Sequence, residues 1–239
     1  VPVLLLAAVQ VAAAQPGHDS AERIRAAAPS QAFVKPKSPR KLLVFTLTRG
    51  FRHDSILDGV RALEILGSQT GAYAAVHSED PAVFEAESLR GFDAVCFLNT
   101  TGELFTPPEF ERLPPPQQQA AREREARWKR NLLDFVESGG GFVGIHAATD
   151  TFYHWPEFGQ LIGGYFDGHP WHEEVVLRNE ERDHPVNAGL EGTELVITDE
   201  IYQFKEPYSR RRQRVLLSLD TSKVNLQKPG VRRTDGDFA

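Results

Sequence analysis

The stretch that most limits what this chain can fold into is Gly139 to Asp150, read GGGFVGIHAATD. Three glycines lead into a short apolar run, Phe142, Val143, Gly144 and Ile145, which stops at His146. Small residues then pass to Thr149 and Asp150. An apolar run of this length, bounded by turn signals, predicts a strand buried on both faces. Gly144 lets another backbone approach closely or lets the strand bend. In an open parallel sheet ligands bind outside the carboxyl ends of the strands, which places His146 at a site rim. Two readings stay open here. His146 is either a site group titrating near neutrality or a buried structural histidine bonded to the backbone.

The preceding segments read as alternating strand and helix. KLLVFTLT from Lys41 predicts a strand, and the loop Arg49 to Asp54 follows it. Asp54 or Ser55 caps a helix whose Ile56, Val60 and Leu63 share a face, with Gly67 ending it. Tyr73 to His77 is a second strand, Pro81 to Leu89 a short helical segment, and Phe92 to Leu98 a third strand. LPPPQQQ reads as a proline-rich surface insertion. Ala120 to Ser138 is a helix with Trp128, Leu132, Phe135 and Val136 at helical spacing, and Glu123–Arg127 and Glu125–Lys129 as i,i+4 pairs. The alternation predicts a mainly parallel, doubly wound α/β sheet. Beyond it, Phe152 to Phe166 is helical in its middle, and Glu173–Leu177, Leu195–Thr198 and Arg214–Leu219 are further strands.

A net charge of −6 argues against a nucleic-acid footprint. The run Arg210–Arg212 with Arg214 reads as a solvated loop. Residues Val3 to Val11 are an apolar core of signal-peptide length, and Ala12 to Ala14 fit a cleavage site, so residues 1–14 read as a clipped leader. Its removal leaves no membrane contact and an exported protein, periplasmic or extracellular. Residues 15–40, with scattered prolines, read as a linker, and 41–239 as one domain that stops short at its end. The single cysteine, Cys96, rules out an internal disulfide framework and reads as a small buried hydrophobe.

Polar residues cluster just past the predicted strand ends: His53, then Asn99 and Thr100, then His146 and Asp150, then Asp199 and Glu200. Parallel strands would bring them to one rim. His169 and His172, at i,i+3, together with His146, Asp199 or Glu200, supply enough nitrogen and oxygen ligands for a divalent metal such as zinc. His169 and His184 also precede prolines, so each equally reads as a turn residue. A nucleophile elbow and a phosphate-binding glycine loop are both missing, because the glycines at 139–141 precede a strand instead of following one.

GFRHDSI (Gly50 to Ile56), GGGFVGIHAATD, the segment from Trp155 through Phe166 to His169–Pro170, the pair His184–Pro185, and DEIYQF (Asp199 to Phe204) together resemble the trehalose-utilisation, or ThuA-like, family. That family is similar in fold to class I glutamine amidotransferases, which implies a flavodoxin-like three-layer α/β sandwich. Where amidotransferases carry a cysteine at the elbow, this chain carries His146, so cysteine-dependent glutaminase activity is not implied. The resemblance implies a role in the catabolism of disaccharides or keto-sugars, as a hydrolase, lyase or isomerase, with a small carbohydrate as partner. His146 and Glu200 are the expected acid–base pair, with His53 and Asp199 beside them. Asn99, Thr100, Asp150 and Tyr202 are expected to meet sugar hydroxyls, and Tyr153, Trp155 and Trp171 to stack on a pyranose face. The alternative is a non-catalytic sugar-binding module on the same fold.

Overall fold

The computed structural model describes residues 16–190 and 192–235. The leader assigned to residues 1–14 lies outside them. Four strands form a parallel sheet: β1 (Lys41–Phe45), β2 (Ala74–Ser78), β3 (Ala94–Leu98) and β4 (Gly141–Ile145), in the order β2-β1-β3-β4. Alternation along β1 and β3 builds a core on each face. Leu43, Phe45, Val95 and Phe97 point into one cluster, and Leu42, Val44, Cys96 and Leu98 into the other. α2 (Ile56–Thr70) covers the second cluster through Ile56 and Val60. α3 (Ala86–Leu89), α4 (Pro115–Glu137) and α5 (Pro156–Ile162) cover the first through Leu89, Trp128, Leu132 and Phe158. The result is a flavodoxin-like three-layer sandwich. Phe97 anchors the first cluster, in ring contact with Phe45, Phe142 and Phe158. Full burial of each such ring contributes about 1.5–3 kcal/mol.

The central strands are therefore β1 and β3. β4, expected to be buried on both faces, is an edge among the described strands, paired only to β3, and Val143 is 47% exposed. Gly144 is needed because a Cβ there would meet Ile162 Cδ1 at 2.7 Å and Ala148 Cβ at 3.1 Å. Side chains, and not a second backbone, crowd it.

Local signals misplaced three boundaries. Residues 15–40 are not all linker: α1 (Pro16–Ala27) lies on α2, where Arg61 donates to Ser20 Oγ at 2.6 Å and Gln69 Nε2 donates to the Ala28 carbonyl at 3.0 Å. α4 starts at Pro115, inside the presumed insertion, because proline in a first helical turn gives up no hydrogen bond. α2 runs past Gly67 to Thr70 and ends on Gly71 at φ 67°. Gly67 is the place where Tyr73 lies against the helix, its carbonyl oxygen 2.5 Å from where a Cβ would stand.

The chain then leaves the parallel sheet. β5 (Tyr165–Phe166) pairs with β8 (Phe204–Lys205), while β6 (Trp171–Asn179), β7 (Glu194–Ile201) and β9 (Leu217–Leu219) form an antiparallel sheet in the order β7-β6-β9. This sheet has its own core of Trp171, Val175, Leu177, Ile201 and Leu219. The condition that parallel strands bring the polar residues to one rim thus holds for β1, β3 and β4 and not for β7, which runs in the antiparallel sheet. No described helix is long and apolar enough to cross a membrane.

Candidate functional site

The site forms where β4 ends. The main chain of His146 is at φ 52°, a left-handed conformation that costs a non-glycine residue of order 1–3 kcal/mol. Surrounding contacts hold it there. The backbone N–H of Asn99 donates to Ile145 at 3.2 Å, and the residues after His146 form a 3-10 turn to Asp150 over buried Ala147 and Ala148. The turn re-aims the imidazole from the strand to the rim. Asn99 (φ 51°) and Phe152 (φ 55°) are strained beside it.

Three loops meet at this turn. The loop after β1 is tied to the loop after β3, since Arg49 N–H donates to the Thr101 carbonyl at 2.7 Å and Thr101 Oγ1 donates to the Phe51 carbonyl at 2.8 Å. His53, held at the end of that loop, has its ring 4.7 Å from that of His146 at 77°. Tyr202 comes from the far side, 4.6 Å from His146 ring to ring, with its hydroxyl 3.3 Å from His146 Nε2. Glu200, two residues earlier on β7, brings Oε2 to 3.6 Å from the same nitrogen. His146 and Glu200 are each about a quarter exposed, so the group opens to solvent. His53, His146 and Glu200 can each present a ligand atom, all within 4.8 Å of one another. They are the donor set able to hold a metal ion among the described residues. Burial and the neighbouring His53 lower the His146 pKa, against the pull of Glu200 and Asp199. The imidazole thus keeps a free lone pair near neutrality. The Tyr202 phenol is pushed up by burial and then by Glu200, so it stays protonated.

Glu200 does not reach the rim by the expected route. It lies within β7 of the antiparallel sheet, whose end abuts the parallel one. Asp199 is exposed and turns back to accept from the Glu200 N–H at 2.8 Å, so it acts on His146 only through its charge. His169 stacks on Phe166 and Tyr202 at 5.8 and 6.0 Å. His172 is exposed, opposite Glu200 in register but outside the donor set. The expected metal pair of His169 and His172 is not the cluster that forms. His184 caps a turn, its Nδ1 accepting from the Val186 N–H at 3.2 Å.

Several expected substrate contacts are committed to the protein. Trp155 is 5% exposed and Trp171 0%, both packed in cores, and neither offers a face for stacking. Buried Thr100 bonds Thr151 at 2.9 Å, and Asn99 Nδ2 donates to Ser55 Oγ at 2.9 Å. The Tyr153 hydroxyl donates to Asp150 Oδ1 at 2.5 Å, and its ring lies under Lys205. The bonds of Asn99, Thr100, Asp150 and Tyr153 brace the loops that carry the rim. Two were missed in the sequence. Phe51 is 70% exposed, with its ring 4.8 Å from His53. Gln203 Nε2 donates to the Asp167 and Gly230 carbonyls at 2.8 and 2.7 Å and fixes the neighbouring Tyr202. Both lie inside the motifs quoted above, which was the available signal. A cavity of about 340 Å³ touches the turn at Thr149 but is lined mainly by Ile162, Phe204, Tyr208 and Leu216. It includes none of the three donor residues, so chemistry and not concavity marks the site.

A β2-β1-β3-β4 parallel sheet with a histidine on the strained exit of β4 defines a flavodoxin-like α/β protein with a rim site. The chain belongs to the ThuA family, described as trehalose utilisation, whose model matches residues 41–236. Among solved structures it is similar to a ThuA-like protein from Bacteroides uniformis ATCC 8492, at TM-score 0.55 and 23% identity, covering 79% of this chain and 71% of that one. A ThuA-like protein from Parabacteroides merdae ATCC 43184 is similar at TM-score 0.50 and 19% identity, over 76% and 68%. At such identities the likeness speaks to the fold. No curated protein matches the chain.

Proposed function

We propose that this ThuA-like chain is an exported enzyme of carbohydrate catabolism, acting on a disaccharide or its keto derivative. The observation that carries the reading is His146, strained onto the rim and surrounded by His53, Glu200 and Tyr202. Strain of this kind concentrates where geometry serves chemistry. A module that only binds sugar needs stacking and hydrogen bonds, and has no use for a strained imidazole beside a second imidazole and a carboxylate. His146 and Glu200 stand at the centre of the site and act on the substrate there, directly or through a group they hold, and Phe51 is the exposed ring on which a sugar face can stack. Cysteine chemistry has no place in it. Cys96 is buried in β3, and burial pushes its thiol up to about 12, which leaves no thiolate to attack.

Turnover of a panel of disaccharides and their keto forms tests the proposal, with His146→Gly as control. Product formation that vanishes in the variant supports it. Sugar binding without turnover by the wild type overturns it in favour of a binding module. Export rests on the apolar leader alone, and N-terminal sequencing of protein from the cell envelope checks it: a mature start near Gln15 is expected, and an intact leader on cytoplasmic protein refutes it.

A further inference from the structure

We propose that His53, His146 and Glu200 bind a divalent cation of the zinc class. The inference rests on the site assignment above but not on the identity of the substrate. Two imidazoles and one carboxylate are a three-ligand set of the kind that leaves a coordination position open for water or substrate. The set is assembled from three elements far apart in sequence, namely the loop after β1, the exit of β4 and the end of β7. Their ligand atoms lie within 4.8 Å of one another, and His146 Nε2 and Glu200 Oε2 are already 3.6 Å apart. Bonds of about 2.0–2.1 Å in a tetrahedral site put ligand atoms about 3.3 Å apart. Closing the cluster therefore needs side-chain rotation only.

A second observation points the same way. His53 Nδ1 is buried with no hydrogen-bond partner, and such an orphaned polar atom asks for a ligand or an ion. Asp199 adds negative charge beside the set, exposed and within reach of His146 electrostatically. The Tyr202 hydroxyl, 3.3 Å from His146 Nε2, is placed to hydrogen-bond a group in the open position. Mixed imidazole and carboxylate donors suit zinc and its transition-metal neighbours and are a poor match for calcium or magnesium, which take oxygen ligands. Bound there, the cation would polarise a carbonyl or hydroxyl oxygen of the substrate.

The test uses the full chain, stripped with a chelator and titrated with zinc chloride in a calorimeter, with cobalt(II) absorption as a spectroscopic readout of the ligand field. One equivalent is expected. Glu200→Gln and His53→Ala, both checked for unchanged Tm, should weaken binding at least about a hundredfold, since even outer-shell losses cost 10–100-fold. His172→Ala and His184→Ala should leave it unchanged. Binding that survives in Glu200→Gln and His53→Ala, or that is lost in His172→Ala, marks an adventitious surface ion only and overturns the proposal, as does the absence of binding. The two readings fail separately. Sugar turnover that persists after chelation, with no zinc bound, removes the metal and keeps the enzyme. One equivalent bound at this cluster without turnover keeps the metal and removes the enzyme.

Discussion

His146 and Tyr202 meet with their rings 4.6 Å apart and the phenol hydroxyl 3.3 Å from Nε2, although 56 residues separate them. The contact joins the exit of β4 in the parallel sheet to the residue that follows β7 in the antiparallel one. The site is thus a seam between two sheets. Its integrity depends on Gln203, whose side chain ties the strand following Tyr202 to Asp167 and Gly230.

If His146 is kept for function and not for packing, its removal costs activity alone. His146→Gly is expected to abolish turnover on the sugar panel while Tm stays level or rises, because glycine accepts φ 52° without strain. A structural histidine would instead lose about 1–3 kcal/mol by leaving a buried partner unpaired. Thermal unfolding of the two proteins side by side distinguishes these outcomes.

Cys96 should behave as packing. The native protein is expected to be inert to a thiol reagent such as dithionitrobenzoate and to react fully once unfolded, given a thiol held near 12 by burial. Cys96→Ser should keep full activity and lose about 1–3 kcal/mol for a hydroxyl placed in an apolar cluster. Loss of turnover in a folded Cys96→Ser protein would mean that the elbow has been wrongly assigned.

Asp220 predicts acid sensitivity in the antiparallel sheet. The Ser222 hydroxyl, its backbone N–H and Arg178 hold the carboxyl down at about 2. The unfolded value is about 3.9, so the folded state binds its proton less readily. Its stabilising contribution is whole above about pH 4 and is lost as the pH falls through about 2. Asp220→Asn should lower Tm at pH 7, and the gap should narrow from pH 4 downwards. A gap independent of pH over that range would show that the carboxylate charge is not what stabilises the fold.

Gly67→Ala reverses a local rule. In an exposed helix interior the change gains about 1 kcal/mol. Here the added methyl would stand 2.5 Å from the Tyr73 carbonyl oxygen and 2.8 Å from its ring, and backbone cannot rotate away. A loss of about 1–3 kcal/mol in urea unfolding is expected, and a gain would show that α2 and the approach to β2 are more loosely joined.

The local sequence made most of the elements legible. The apolar runs at β1 and β3 and the 3.6-residue stripe through Trp128 and Leu132 each specify an element whose stability is mostly its own buried face. Gly139 and Asp150 likewise bracket β4 and its turn, because glycine and small residues restrict a short stretch of backbone directly. The motifs also marked His53, His146 and the Asp199–Glu200 pair as neighbours in kind.

Tertiary structure alone decided which of them meet. Strand order made β1 and β3 central and β4 an edge among the described strands, and a short apolar run has no way to state its rank in a sheet. Trp155 and Trp171 went to cores and Phe51 to the surface, against a reading that treats aromatic rings as interchangeable, because burial is set by what packs around a ring. Likewise His172 and Glu200 share a register position, yet Glu200 brings a ligand atom to His146 and His172 stays outside the donor set. Sequence spacing fixes which way a side chain leaves its own strand, whereas the distance between residues on different sheets follows from how those sheets dock, and that is a property of the whole packed chain.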